Sequence, residues 1–330
     1  MKRLTALLLC LIMLFALTAC SKDESGLRKV TLNEVTRSVF YAPLYVACSK
    51  GFFAEEGLEV DIVTGGGSDA SMTALLSGEA DAALMGPETG IYVTNQGKAD
   101  HPMIIAQLTK RDGSFLLGRE ADDSFDFSKL KGKSIIAGRP GGMPYMTLLY
   151  VLRQHGLEPG SDVEVISNIQ FNLMGGAFES GTGDYVTLFE PTATEMEQAG
   201  KGYILCSIGQ ESGEIPYTAY FANRSYLTAN AGTVQRFTNA IARAQRWVAE
   251  HTDREVAEAI CGQFPDTDLA VLERVCARHR EIDAWNLTPV MEQAALERLE
   301  TVMTTAGQLK QEEWVDFDRL VDNSFAQKAS

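Results

Sequence analysis

The stretch Leu58–Pro87, LEVDIVTGGGSDASMTALLSGEADAALMGP, reads as a β-strand, a Gly-rich turn, a short amphipathic helix and a second apolar strand that stops at Gly86-Pro87. A similar phrase returns at Val163–Pro191, VEVISNIQFNLMGGAFESGTGDYVTLFEP. Both follow one skeleton: apolar strand, loop, helix, Ser-Gly-x-x-Asp, strand, then a Pro that opens a helix. Ser77-Gly78…Asp81 and Ser180-Gly181…Asp184 share the same spacing. The echo extends upstream, where Tyr41-Ala-Pro-Leu-Tyr-Val…Gly57-Leu58 answers Pro144-Tyr-Met…Leu149-Tyr150-Val151…Gly156-Leu157. Each copy therefore reads β-α-β-α-β followed by a helix. Alternation of this kind implies an α/β fold with a parallel sheet covered on both faces and right-handed crossovers.

Working outward, a chain of 330 residues with 45% hydrophobic content can build two cores of ordinary size. The 44 acidic residues outnumber 29 basic ones. That balance disfavours nucleic acid, whose phosphates need a basic face, so no nucleic-acid partner is expected, and it disfavours an anionic membrane surface for the folded body. Residues 1–19 read as a signal peptide: a basic start at Lys2-Arg3, an apolar run over Leu4–Leu17, then small residues. Cys20 ends a Leu-Thr-Ala-Cys sequence of lipobox type, so lipidation is expected there, with 20–29 as a tether. Of the remaining cysteines, Cys48, Cys261 and Cys276 sit in helical patterns and Cys206 in a strand. None is placed for zinc, and both free thiols and a Cys261–Cys276 bridge fit the spacing.

Along the chain, strands are expected at Val30–Val35, Val60–Val63, Ala82–Met85, Met103–Leu108 and Phe115–Gly118. Pro43 starts a helix that Gly57 ends, and Ser68 or Asp69 caps the next. A charged stretch at Glu120–Phe127 marks a change of lobe, and Glu211–Pro216 marks the return. The expected division is lobe one over 30–118, lobe two over 119–216, and lobe one again over 217–330. The last part reads as helices over Thr233–Glu250, Arg254–Gln263, Leu269–Arg280 and Pro289–Thr305, with a final one over Glu312–Ala326. Thr252-Asp-Arg-Glu255 is a capping box. Two crossings between lobes make a hinge. Ligands of open α/β sheets sit beyond the carboxyl ends of the strands, which places a cleft at the loops following them.

Those loops hold the candidate ligand contacts. Thr36–Tyr41 offers Ser38, Phe40 and Tyr41; Gly65–Asp69 offers Gly67 and Ser68; Gly86–Glu88 offers Pro87 and Glu88. Gly138–Tyr145 contributes Arg139, Gly141, Met143 and Tyr145, and Ser167–Asn172 contributes Phe171 and Asn172. The glycine turn before a helix start can cradle an anion, although Asp69 would repel one. Arg139 is placed to pair with an acid or to remain solvated. Glu190, at the end of strand Tyr185–Phe189, is the leading contact, because a carboxylate there can accept two hydrogen bonds from an amino-heterocycle. Tyr217 and Tyr220 join the aromatic set on which a flat ring can stack. The four histidines are scattered, and no nucleophile–base pair or metal spacing is visible, so no cofactor is expected.

Tyr41-Ala-Pro-Leu-Tyr-Val…Gly51-Phe-Phe-Ala-Glu-Glu-Gly57-Leu, Leu76-Ser-Gly-Glu-Ala-Asp81 and Leu130-Lys-Gly-Lys133 together resemble the solute-binding proteins of ABC importers. More narrowly, the chain is similar to the family of alkanesulfonate-, taurine- and nitrate-binding proteins and thiamine-pyrimidine proteins. The likeness covers about Val30–Ala222. It implies a periplasmic-binding-protein-like fold of type II, with two lobes hinged about a cleft to which Glu190 is delivered. It also implies an exported, lipid-anchored, non-enzymatic partner of a permease and its ATPase subunits. The first expected ligand is a pyrimidine precursor of thiamine. An alkanesulfonate, taurine or nitrate is the alternative, and an enzyme on the same fold the remoter one.

Overall fold

In a computed structural model, residues 26–329 are described. The expected signal peptide, the lipidation site Cys20 and the first part of the tether lie outside them. The tether's last residues are already structured: strand β1 begins at Arg28 and runs to Glu34. Nine further strands follow: β2 Leu58–Thr64, β3 Ala82–Met85, β4 Pro102–Thr109, β5 Ser114–Gly118, β6 Ser134–Ile136, β7 Glu164–Ile166, β8 Tyr185–Phe189, β9 Tyr203–Ser207 and β10 Thr218–Asn223. They form two five-stranded sheets, ordered β2-β1-β3-β10-β4 and β7-β6-β8-β5-β9.

The sequence repeat is a structural repeat. In each sheet the first three strands are parallel and joined through helices. The fourth strand, β10 in one sheet and β5 in the other, is antiparallel to both its neighbours. The sheets are thus mixed rather than parallel. The exceptions are the two strands that arrive from a hinge crossing, which need no helical crossover and so escape its directional constraint. The Ser-Gly-x-x-Asp motif does the same work twice. Asp81 Oδ2 accepts a hydrogen bond from the backbone N–H of Thr31 at 2.9 Å, and Asp184 Oδ2 accepts one from Ser134 at 2.9 Å. Each aspartate fastens the strand that opens its own repeat, β1 in one and β6 in the other.

The expected lobe boundary at 118 needs correction. Strand β5 pairs with β8 and β9 in the second sheet, so the chain has crossed between Thr109 and Ser114. The charged segment Glu120–Phe127 is a surface loop within the second lobe; its polarity reflects solvation, not a border. The first sheet is covered by helix Ala42–Ser49, opened by Pro43, and by the long helix Ala231–Glu250. The long helix buries Val234, Phe237, Ile241, Ala244 and Val248, a single stripe at helical spacing. Gly57, with φ +72°, ends the preceding helical turn in the left-handed conformation expected of it.

The C-terminal part departs further. The capping box of Thr252 and Glu255 forms as read. The helix expected from Pro289 begins only at Gln293, because the chain before it is recruited to β4. Gln107 N–H donates to the Pro289 carbonyl at 2.7 Å and Asn286 N–H to that of Leu108 at 2.9 Å, which covers an otherwise open sheet edge. The last expected helix is two short ones, Phe317–Leu320 and Ser324–Ala329. Cys48, Cys206, Cys261 and Cys276 are all free, with Cys276 buried and Cys261 exposed. No helix among the described residues is long and apolar enough to cross a membrane.

Candidate functional site

Between the two sheets lies a cavity of about 360 Å³, walled by loops that follow the carboxyl ends of the parallel strands. After β1 come Ser38, Phe40 and Tyr41; after β2, Gly67 and Ser68; after β3, Glu88, Thr89 and Tyr92. The second lobe supplies Arg139, Gly141 and Met143 after β6, Phe171 after β7 and Phe189 from the end of β8. Tyr217 and Thr218 close the cavity from the hinge side. The size and mostly apolar character are those of a small-molecule pocket.

Glu88 dominates its chemistry. The side chain is buried, and Oε2 has no hydrogen-bond partner. The carboxyl folds back over Gly86, where a Cβ would stand 2.0 Å from Oε2, so only glycine leaves it room. Burial pushes its pKa up to about 8, against the pull of the backbone N–H groups of Glu88 itself and of Met143 from the other lobe. At neutral pH the group is therefore a carboxylic acid, able to donate as well as accept. Tyr217 is the second uncommitted polar group: its buried hydroxyl faces Asp112, yet neither that hydroxyl nor Asp112 Oδ2 has a partner of normal geometry. Phe40 sits at the centre of the aromatic wall, 5.9 Å from Tyr41, 6.0 Å from Phe189 and 5.7 Å from Tyr217 between ring centroids. Behind it, Trp285 Nε1 donates to the Phe40 carbonyl at 3.0 Å and holds the loop in place.

Two contacts bridge the mouth. Arg139 Nη2 lies 3.2 Å from Asp69 Oδ1 across the cleft, both largely exposed. The Tyr92 hydroxyl donates to the Gly141 carbonyl at 3.2 Å. The lining's one cation is thus paired to its neighbour carboxylate, and the other carboxyl, Glu88, has no cation. Neither Ser68 nor Asp69 caps the helix Ser68–Ser77; Gly67 stands at that position without a side-chain bond, because Asp69 is turned to Arg139.

Of the residues expected at the site, Ser38, Phe40, Tyr41, Gly67, Ser68, Glu88, Arg139, Gly141, Met143 and Phe171 border this cavity. Five do not. Glu190 is buried and spent internally: its carboxylate accepts from the Thr194 N–H at 2.9 Å and hydroxyl at 2.8 Å, and from Arg278 Nη1 at 3.0 Å. Arg278 lies 88 residues further on, on the helix Leu269–Glu281, so local sequence gave no sign of it. Tyr220 is a core residue that meets Phe237 edge-on at 5.3 Å. Tyr145 packs between core clusters, and Pro87 caps the helix that starts at Glu88. Asn172 borders an adjoining cavity with Glu190. Thr89 and Tyr92 were not expected at the cleft; Phe189 was expected there as part of Phe189–Pro191 but not as a ligand contact. Tyr92 had a signal, since it lies one helical turn beyond Glu88. Phe189 had one too, as the last residue of a cleft-directed strand.

A model of the NMT1-like family matches residues 28–262. YtlA of Bacillus subtilis (strain 168), named provisionally as a binding protein, is 46% identical over 96% of this chain and 94% of its own. The 4-amino-5-hydroxymethyl-2-methylpyrimidine phosphate synthase of Aspergillus parasiticus is 27% identical over 63% of each chain. Among solved structures, the alkanesulfonate-binding protein SsuA from Xanthomonas axonopodis pv. citri, bound to MOPS, superposes with a TM-score of 0.72 at 17% identity, covering 90% of this chain and 98% of that one. That likeness is one of fold, the two-lobed periplasmic-binding-protein-like architecture. Family model, full-length relative and fold agree: the chain belongs to the NMT1-like family, among solute-binding proteins.

Proposed function

We propose that this protein is the substrate-binding component of an ABC importer, and that it captures a small flat nitrogen heterocycle by closing its lobes. The observation that carries the ligand class is the buried carboxyl of Glu88, its Oε2 without a partner, inside an aromatic-walled cavity whose one cation is already paired. Such a carboxyl offers both a donor and an acceptor to an amino-nitrogen edge, while the rings of Phe40, Tyr41 and Phe189 suit stacking. A pyrimidine precursor of thiamine has this chemistry, and the fungal relative is named for one. Anchoring by a lipid at Cys20, display outside the cytoplasm and delivery to a permease complete the reading. The residues at the cavity hold and orient the ligand and carry out no chemistry on it.

An anion of sulfonate or nitrate type is the second reading, favoured by the glycine turn at Gly66–Ser68 and by Arg139 on the lining. Asp69 opposes it, since a carboxylate beside a desolvated anion is repulsive, and the protonated Glu88 brings no positive charge to offset it. Isothermal titration of the protein against aminopyrimidines, alkanesulfonates and nitrate separates the two. The expected result is binding of 4-amino-5-hydroxymethyl-2-methylpyrimidine, weakened about tenfold or more in Glu88→Leu, which removes both the donor and the acceptor of the buried carboxyl. Response to sulfonates or nitrate alone would reverse the assignment. Conversion of any bound compound by the purified protein would overturn the binding role.

A further inference from the structure

A second cavity, of about 340 Å³, adjoins the first. Thr36, Ser38, Phe171 and Phe189 border both, so the two are compartments of one cleft with the Phe171–Phe189 ring pair between them. The rings stand 5.4 Å apart, but they are not equally fixed. Phe189 is held by Phe40 at 6.0 Å and Tyr217 at 6.1 Å as well. Phe171 lies on a three-residue turn, Phe171–Leu173, with no buried residue, and Leu173 beside it is 54% exposed. The partition therefore has one half packed among three rings and one half whose ring contact is Phe189 alone.

The far compartment is apolar in what it can offer. Met174, Leu188 and Met196 form its walls. The charged side chains at its border are engaged elsewhere: Arg37 with Glu34, Glu179 with Lys201, and Glu190 with Arg278. Its space is kept open at a cost. Gly175 and Gly176 sit inside the helix Met174–Glu179, where each glycine is less favourable than alanine by about 1 kcal/mol. Sterics do not demand Gly175, because a Cβ there would meet Thr192, Met196 and Leu188 at 3.4–3.9 Å, ordinary contact distances. A side chain at 175 would instead occupy the compartment.

We propose that the far compartment receives an apolar substituent of the ligand whose ring sits beside Glu88, and that Phe171 is the specificity-determining partition that sets how long that substituent can be. The proposal rests on the heterocycle reading of the near compartment. Its test uses three probes: the compact 4-amino-5-hydroxymethyl-2-methylpyrimidine, a 5-benzyl-4-amino-2-methylpyrimidine, and the neutral dye N-phenyl-1-naphthylamine. The ratio of the two pyrimidine Kd values is the readout. Phe171→Ala is expected to shift it at least tenfold in favour of the benzyl compound, and Gly175→Leu at least tenfold against it. Dye fluorescence is expected to rise in Phe171→Ala and to be lost when Gly175→Leu is added. Gly175→Ala, which suits a helix, checks folding and should fall between wild type and Gly175→Leu. A ratio that moves less than threefold in both variants overturns the proposal, as does dye binding indifferent to residue 175. Failure of both pyrimidines to bind any variant overturns the heterocycle reading instead, and the dye then decides the compartment alone.

Discussion

A carboxyl closed off from water and given no cation keeps its proton, and Glu88 is in that position. Its pKa is about 8 in the folded protein against 4.5 as the reference value. Between those values the folded state holds a proton that the unfolded chain has released, so stability falls as pH rises through that window and is insensitive to this group outside it. Each pKa unit corresponds to about 1.4 kcal/mol. Thermal unfolding followed from about pH 5 to about pH 9 should therefore show Glu88→Gln gaining on the wild type as pH rises, with the largest advantage near pH 8 and above. Parallel profiles would show that Glu88 does not titrate in this range. In the proposed role the cost and the function share one residue: a group that weakens the empty protein above neutral pH is the one offered to the ligand.

Among the elements, the helix Leu269–Glu281 does more than its amphipathic pattern announced. Its stripe of Val271, Leu272, Val275 and Cys276 is buried, as periodicity requires. From its edge Arg278 reaches both Glu190 and Glu197, at 3.0 and 2.7 Å, and so fastens the second lobe's helix Thr192–Gln198 to the C-terminal part of the chain. Removing the arginine leaves Glu190 buried without a counter-charge, and Arg278→Ala is expected to cost about 3–5 kcal/mol in urea unfolding at neutral pH. Glu190→Gln with Arg278→Met should recover part of that loss; a single variant within about 1 kcal/mol of wild type would show the pair to be dispensable. This pair also marks where sequence stops being informative. Strands, glycine turns and cleft loops were legible because their signals are local: β-branched runs, left-handed glycine sites, Pro at helix starts. Whether Glu190 pointed at a ligand or at an arginine depended on a partner 88 residues away. Tyr220 was misplaced for a related reason, since β-strand alternation gives two faces but does not say which one meets the cavity.

At the scale of the whole molecule, the repeated βαβ pattern was enough to foresee two lobes, a hinge and the cleft between them. It could not foresee the antiparallel fourth strand of each sheet, because β5 and β10 lie outside the repeated unit and next to the crossings. That arrangement leaves the two sheets unequal in time. All five strands of the second sheet lie within residues 114–207, whereas the first sheet needs β10, at Thr218–Asn223, between β3 and β4. As the chain is threaded out N-terminus first, β1 to β4 wait with a gap between β3 and β4 while the other sheet already has every strand it needs. Loop closure across that whole intervening segment adds to the delay. Pulse-labelled hydrogen exchange during refolding should then protect amides of β6 and β8 before those of β3 and β4. Simultaneous protection would mean that the two halves assemble as one unit. On that order the half that carries Glu88 is completed last, and the cleft takes shape in a nascent chain only after its other jaw is in place.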